Sequence, residues 1–371
     1  VELPATVRTV ADPLSVVEDP EVQVAIEVMG GEQPALACIE RALESGKHVV
    51  TANKLVIATH GPRLAALAAQ HGAGLWFEAA VMAGLPVIAL VRESLRGDQL
   101  TSIDAVINGT TNVILTRMRR DAMSFEAALL EAQQRGFAEA DPSSDIDGWD
   151  ATYKLVIAAW LAFGVHVHPG EVDRRGIRSL QLGDVALADR LGYALRLVAH
   201  ATCDQAVQLR VRPALVPPGH PLHDIDDSNN AFVVRGDLAG PVALSGLAAG
   251  GDSTASAVIS DVVQAIVRRD ATPSPPLLRD VPPASDEDVE VAGYIRLEPA
   301  AIPDAQALTV QALEDRGVPV DQAADVSAGG APQLVLLTGM APRAVHDRAL
   351  ETLETLAAVR RVAVALDRVV P

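Results

Sequence analysis

Between residues 22 and 78 short apolar strands alternate with helices, and each strand runs out into a polar or glycine-rich turn. A strand over 22–28 ends in Met29-Gly30-Gly31. A helix over 34–46 follows, with Pro34 in its first turn and Gly46 as its stop. A strand at 48–50 runs into Thr51-Ala52-Asn53-Lys54, and a helix over 61–71 leads to a strand at 75–78. Strand–helix–strand alternation of this kind builds a parallel sheet, because parallel neighbours need a crossover. Such sheets take ligands beyond the carboxyl ends of their strands. The turns at 29–31, 51–54 and 78–85 all fall there.

The pattern then becomes mixed. It predicts a helix over 86–97, a strand over 102–107, the turn Asn108-Gly109-Thr110-Thr111-Asn112 and a helix over 113–121. A Ser124-capped helix over 125–135 stops at Gly136. A polar loop at 138–148 precedes an apolar helix over 149–164, and further α/β elements run to about 270. Five prolines between 271 and 286 mark a linker. Beyond it the order is strand 289–297, helix 304–316, strand 318–326, strand 333–340, helix 342–357, strand 360–369, which is the ferredoxin-like β-α-β-β-α-β succession.

Composition narrows the function classes. A net charge of −18 over 371 residues excludes a broad nucleic-acid footprint and an anionic-membrane binder. Aromatic residues make up 3%, so Ala, Val, Leu and Ile must build the core, which favours α/β layers. Two cysteines, Cys38 and Cys203, make neither a disulfide framework nor a cysteine zinc site. No apolar run is long enough to span a bilayer, and the start at Val1 has neither a basic nor an apolar leader region. The expectation is a cytoplasmic protein.

Five constellations can carry chemistry. Residues 139–150 hold five carboxylates, and Asp150 shares a helix face with Lys154 at i+4. This is either an acidic first turn that complements the helix dipole or a lysine tuned for proton transfer at the head of a buried helix. Thr51 to Lys54 is either a capping loop or a lysine facing a ligand crevice. Glu78 to Pro86 is either a strand-to-helix turn or an oxygen-rich cation site. Asn108 to Asn112 is either a generic turn or an anion-binding helix start. Gly246 to Ala255 is a glycine-rich loop opening a helix to about 268, with no Gly-Lys-Ser/Thr of a Walker loop. There is no Gly-x-Ser-x-Gly elbow and no His-Glu-x-x-His, and His166 and His168 are too isolated to make a metal site.

Taken in order and spacing, these motifs resemble the homoserine dehydrogenases. The resemblance rests on Met29-Gly30-Gly31, Gly46 to Lys54, Phe77 to Val81, Ile107 to Asn112, Ala138 to Pro142, Asp150, Lys154, Gly192-Tyr193 and the 246–255 loop, and spans about 20–270. It implies NAD(P)-dependent interconversion of L-aspartate 4-semialdehyde and L-homoserine, on the way to threonine and methionine. It implies Lys154 as acid/base, Lys54 as a second lysine near nicotinamide and substrate, and Glu139, Asp145 and Asp150 as the carboxylates for the substrate amino group. Gly109 and Thr110 become substrate-loop residues. Met29, Gly30, Lys54 and Gly250 approach the cofactor, NADP or NAD, with Arg8 and Asp12 both near the position that reads the ribose. Glu78, Val81, Ala83 and Leu85 resemble a sodium site. The last 84 residues resemble an ACT domain with an amino-acid effector, although no Asp-x-Pro-Gly turn is present.

The implied architecture is α/β throughout. A truncated Rossmann-type NAD(P) domain occupies 1–88, an α+β substrate and dimerisation domain 89–270, a linker 271–287 and an ACT-like domain 288–371. The family's opening Gly-x-Gly-x-x-Gly is absent, and the one Gly-x-Gly, Gly72-Ala73-Gly74, leads into a strand. The expectation is therefore a chain that lacks its first βα unit. A homodimer or homotetramer is implied, with no nucleic-acid or membrane partner. The rival readings are a cofactor-less regulatory or amino-acid-binding relative, and a dehydrogenase for another small amino-acid aldehyde.

Overall fold

A computed structural model describes residues 6–268, 276–285, 287, 289–328 and 331–369. Of the expected linker, residues 271–275 and 286 lie outside them. The chain divides into two compact units, each assembled from separated stretches: Val1–Thr101, Thr152–Glu171 and Arg235–Asp280 form the first, and Ser102–Ala151, Val172–Val234 and Val281–Pro371 the second.

The first unit is built on a three-stranded sheet, Val24–Glu27, His48–Thr51 and Leu75–Trp76, paired in that order and parallel throughout. This is the arrangement that the strand–helix alternation predicts. The helices Ala35–Glu44 and Lys54–Gln70 form the crossovers. The second begins seven residues earlier than its periodicity predicts, because the Asn53 side chain caps it by accepting from Val56 N. Gly61 and Pro62 obscure its first half in the sequence. Gly61 is there because the Trp160 indole lies against it: a Cβ would come within 2.7 Å of the ring. The expected helix over 86–97 is Val87–Ala89 followed by a π-turn, Leu90–Ser94, where Leu95 N reaches back five residues to Leu90 O.

In the second unit a mainly antiparallel sheet brings together Leu100–Val106, Ala194–Cys203 and Val207–Val216, with Asn229–Gly236 beyond Leu100–Val106. The terminal segment has the predicted β-α-β-β-α-β succession with one addition, a two-residue strand Ala341–Pro342 before the second helix. Its strands lie in the order Val320–Ala328, Ala331–Thr338, Glu290–Pro299, Val359–Arg368, all antiparallel. Val359–Arg368 also pairs in parallel with Val207–Val216 through Asp367 and Arg368. One sheet therefore runs from the terminal segment into the strands before it. A core of Ile295, Leu297, Leu313, Val318, Leu334, Leu336 and Leu353 fills the terminal segment.

The polar loop expected at 138–148 contains a helical turn, Ser143–Ile146. Asp141 accepts from Ser143 N at 3.1 Å, and Pro142 supplies the pre-set φ that starts the turn. The apolar helix follows at Trp149–Phe163. Among the described residues no helix is long and apolar enough to cross a membrane.

Candidate functional site

In the first unit three side chains shape the carboxyl ends of the strands. Glu27, buried at the end of its strand, accepts from Met29 N at 2.7 Å and from the Thr51 hydroxyl at 2.6 Å. The Thr51 oxygen accepts from Asn53 N at 2.9 Å. The Asn53 amide donates to Gly31 O at 2.7 Å. This relay holds the loop at 29–31 against the turn at 51–54 and makes Lys54 the first residue of its helix. Gly30 and Gly31 have φ of +75° and +71°, and a Cβ on either would meet nothing within 4 Å. The backbone here is left-handed and open, as close approach by a ligand requires. Glu27 was not among the sequence candidates; its signal is an acid as the last residue of an apolar strand.

Gly250, at φ +128°, precedes the helix Gly251–Val267, which has no side-chain cap. The first amides of that helix are free of side-chain acceptors, which suits an anion. Together with the open glycines at 30 and 31, this donor set fits a dinucleotide.

Glu78 closes the third strand. Its two oxygens accept from Ile88 N and Ala89 N, each at 2.9 Å, so it caps the short helix beyond Pro86. Asp261 accepts from Glu78 N at 2.8 Å. Burial pushes the Glu78 carboxyl up to about 7 and the Asp261 carboxyl up to about 6. Neither makes an ion pair with a described residue. Between Glu78 and Pro86 the chain turns through Met82 at φ +52°. A Cβ on Gly84 would lie 2.0 Å from Leu247 O, so only glycine passes there. Two acids whose carboxyls burial raises against the opposing charge of Arg92, next to a tight turn, are the part of the expected cation site that these elements bring together. Among the described residues no group of three or more His, Cys, Asp or Glu is placed to hold a metal ion, and His166 instead contacts Ala58 O.

In the second unit Asn108, 4% exposed, caps the helix Gly109–Arg120, its Oδ1 accepting from Thr111 N at 2.8 Å. Its amide nitrogen donates to Asp145 Oδ1 and to Asp150 Oδ2, both at 2.7 Å. Asp145 lies on the Ser143–Ile146 turn and Asp150, 3% exposed, at the start of Trp149–Phe163. Thr110 donates to Phe137 O at 2.8 Å, which ties the helix start to the loop that carries the exposed Glu139. Thus Asn108, Gly109, Thr110, Asp145 and Asp150 converge. Lys154 is one turn beyond Asp150 on the same helix and belongs, like Lys54, to the first unit.

A parallel βα sheet with open glycines at its strand ends is the arrangement of dinucleotide-binding oxidoreductases. Residues 3–78 match the family model described as the NAD binding domain of homoserine dehydrogenase, and residues 86–263 match the model described as homoserine dehydrogenase. The chain belongs to the homoserine dehydrogenase family. It is 38% identical to the homoserine dehydrogenase of Synechocystis sp., over 98% of this chain and 87% of the relative. It is 35% identical to that of Pseudomonas aeruginosa, over 95% and 83%. Among solved structures, the homoserine dehydrogenase of Thiobacillus denitrificans superposes with a TM-score of 0.90 at 35% identity, covering 96% of this chain and 84% of that one. A hyperthermophilic archaeal homoserine dehydrogenase, solved in complex with NADPH, superposes with a TM-score of 0.62 at 36% identity, covering 70% and 76%.

Proposed function

We propose that the protein interconverts L-aspartate 4-semialdehyde and L-homoserine with NADPH or NADH, with Lys154 as the proton donor. The observation that carries this is the pair Asp145 and Asp150, held together by one amide, with Asp150 one helical turn from Lys154. Two converging carboxylates suit the substrate ammonium. An ammonium group can give its proton to a carbonyl oxygen as that oxygen becomes an alkoxide. Asp150 orients the lysine, while Glu139 and Asp145 hold the amino group, and Gly109 and Thr110 line the approach.

Met29, Gly30, Lys54 and Gly250 would hold the dinucleotide, whose nicotinamide supplies or takes up the hydride. Glu78, with the carbonyls of Val81, Ala83 and Leu85, would hold a sodium ion and relieve the buried acids. The working division is cofactor binding by 1–88, substrate binding by 89–270 and an ACT-like, amino-acid-sensing segment over 288–371, in a cytoplasmic homodimer or homotetramer that feeds threonine and methionine synthesis.

The test is loss of NAD(P)H absorbance on addition of aspartate semialdehyde, with each cofactor in turn. Turnover with this aldehyde and not with shorter or non-aminated aldehydes is expected. No turnover with either cofactor overturns the reading.

A further inference from the structure

Asn108 sits where a side chain is asked to do three things at once. Its oxygen caps a helix by accepting from Thr111 N at 2.8 Å, and its nitrogen donates to Asp145 and Asp150 at 2.7 Å each. An amide group has two N–H bonds, and both are spent on carboxylates. The two acceptor oxygens share one nitrogen, which puts them within about 5 Å of each other. At that separation, with Asp150 buried, two ionised carboxylates repel strongly. A neutral double donor between them offsets the repulsion and sets the direction in which each remaining oxygen points.

Several charged groups around the amide have partners of their own. On the Asp145 side, Asp147 is taken by Arg178, with contacts at 2.9 Å, while the Arg174 guanidinium stacks on Trp149. Asp141 accepts from Ser143 N. On the side of the helix Gly109–Arg120, Arg119 and Arg120 are committed to Asp226, as is Arg196. Asp227 takes the other contact of Arg120. Lys154 lies one turn beyond Asp150.

We propose that Asn108 is a positioning residue for the dehydrogenase reaction: its amide holds Asp145 and Asp150 as a convergent pair, and so sets affinity for the substrate ammonium. This rests on the reading of Asp145, Asp150 and Lys154 given above. A capping role alone asks only for an acceptor at this position, which serine and aspartate both supply. The bridging role asks for two donors on a neutral group, which neither supplies.

Two variants separate the roles. Asn108→Ser keeps an acceptor and one donor; KM for homoserine is expected to rise about tenfold or more, with kcat changed less. Asn108→Asp keeps the best kind of cap but places a third carboxylate against the pair. The acid limb of the kcat/KM–pH profile is expected to move up by about one pH unit or more. The double variant Asn108→Ser/Asp145→Asn is expected to raise KM by less than the product of the single effects, because the amide then has one acid to hold. That coupling also decides the question if Asn108→Asp does not fold. Wild-type KM and pH profile in both single variants, or multiplicative effects in the double variant, overturn the proposal. Lys154→Ala run alongside tells the two failures apart: if that enzyme keeps its activity, the site reading itself has failed, and if it is inactive while the Asn108 variants behave as wild type, only the positioning role has.

Discussion

Two groups of partly or fully buried acid in this protein are handled in opposite ways. In the first unit Glu78 and Asp261 receive backbone amides and no ion pair from a described residue, and burial drives both carboxyls upward. In the second unit Asp226 receives three guanidinium groups, from Arg119, Arg120 and Arg196, at 2.6 to 2.8 Å. Burial pushes the Asp226 carboxyl up, but the Arg196 hydrogen bond and the three positive charges outweigh it and hold it below the usual range. Arg196, 1% exposed, also reaches Asn112, whose amide binds the carbonyls of Ile225, Asp227 and Asn229. Asp226 is thus a structural anchor that pins the 223–229 loop to the helix Gly109–Arg120. Glu78 and Asp261 have no ion pair with a described residue, and the charge of Arg92 acts on both without outweighing burial. We take the difference to separate an acid that holds the fold from acids proposed to bind a cation.

If that contrast is right, changes on the ligand side cost rate and changes on the anchor side cost stability. The largest expected effect is on rate: Lys154→Ala lowers kcat by ~10²-fold or more while the melting temperature stays near wild type. Stopped-flow and steady-state NAD(P)H assays check it, and a rate within a few-fold of wild type removes Lys154 from the mechanism. Next comes Asp226→Ala, which strands the buried Arg196 guanidinium. It should destabilise the protein by about 3 kcal/mol in denaturant melts. A loss below ~1 kcal/mol would mean that the loop is held by Asn112 alone.

Exchange of sodium for choline should lower stability by roughly 1 kcal/mol. The effect belongs at alkaline pH. With no cation, a Glu78 carboxyl raised to about 7 contributes stability below the unfolded value of 4.5 and loses it as pH rises through 7. Equal melting curves in the two salts at pH 8 would remove sodium from this turn. The smallest effect is at the acid end. Burial pushes the Asp104 carboxyl up, but the hydrogen bond and charge of His200, 2.6 Å away, outweigh it and hold it below the ordinary aspartate value of 3.8. Asp226 is held down in the same way. Both therefore stabilise the folded state above that pH, and the contribution is lost as pH falls through their lowered values. Asp104→Asn should flatten the melting temperature between pH 4 and pH 2 relative to wild type.

Much of the architecture is written in local patterns. The β-α-β-β-α-β succession at the end of the chain is legible because each element has its own period and its own turn residues. The helix at Lys54 is legible only in its second half. Its first half depends on an Asn53 cap and on the Trp160 ring that explains Gly61, a contact between residues far apart in the chain. The candidate site divides the same way. The acidic run at 139–150 with Lys154 stands out from its residue types and spacing. Asn108 reads as an ordinary turn residue, because what distinguishes it is the arrival of Asp145 and Asp150, 37 and 42 residues further on. Glu27 is similar, its partner Thr51 being 24 residues away.

The sequence alone determined the parallel βα sheet, the terminal β-α-β-β-α-β order and the chemical identity of the acids and lysines, since periodicity, capping and charge are properties of neighbouring residues. The tertiary structure decided which of those acids share a donor, which are neutralised by arginine, and that the terminal strand Val359–Arg368 joins the sheet of Val207–Val216. Those outcomes depend on hydrogen bonds and burial between segments remote in sequence, and neither has a local signature.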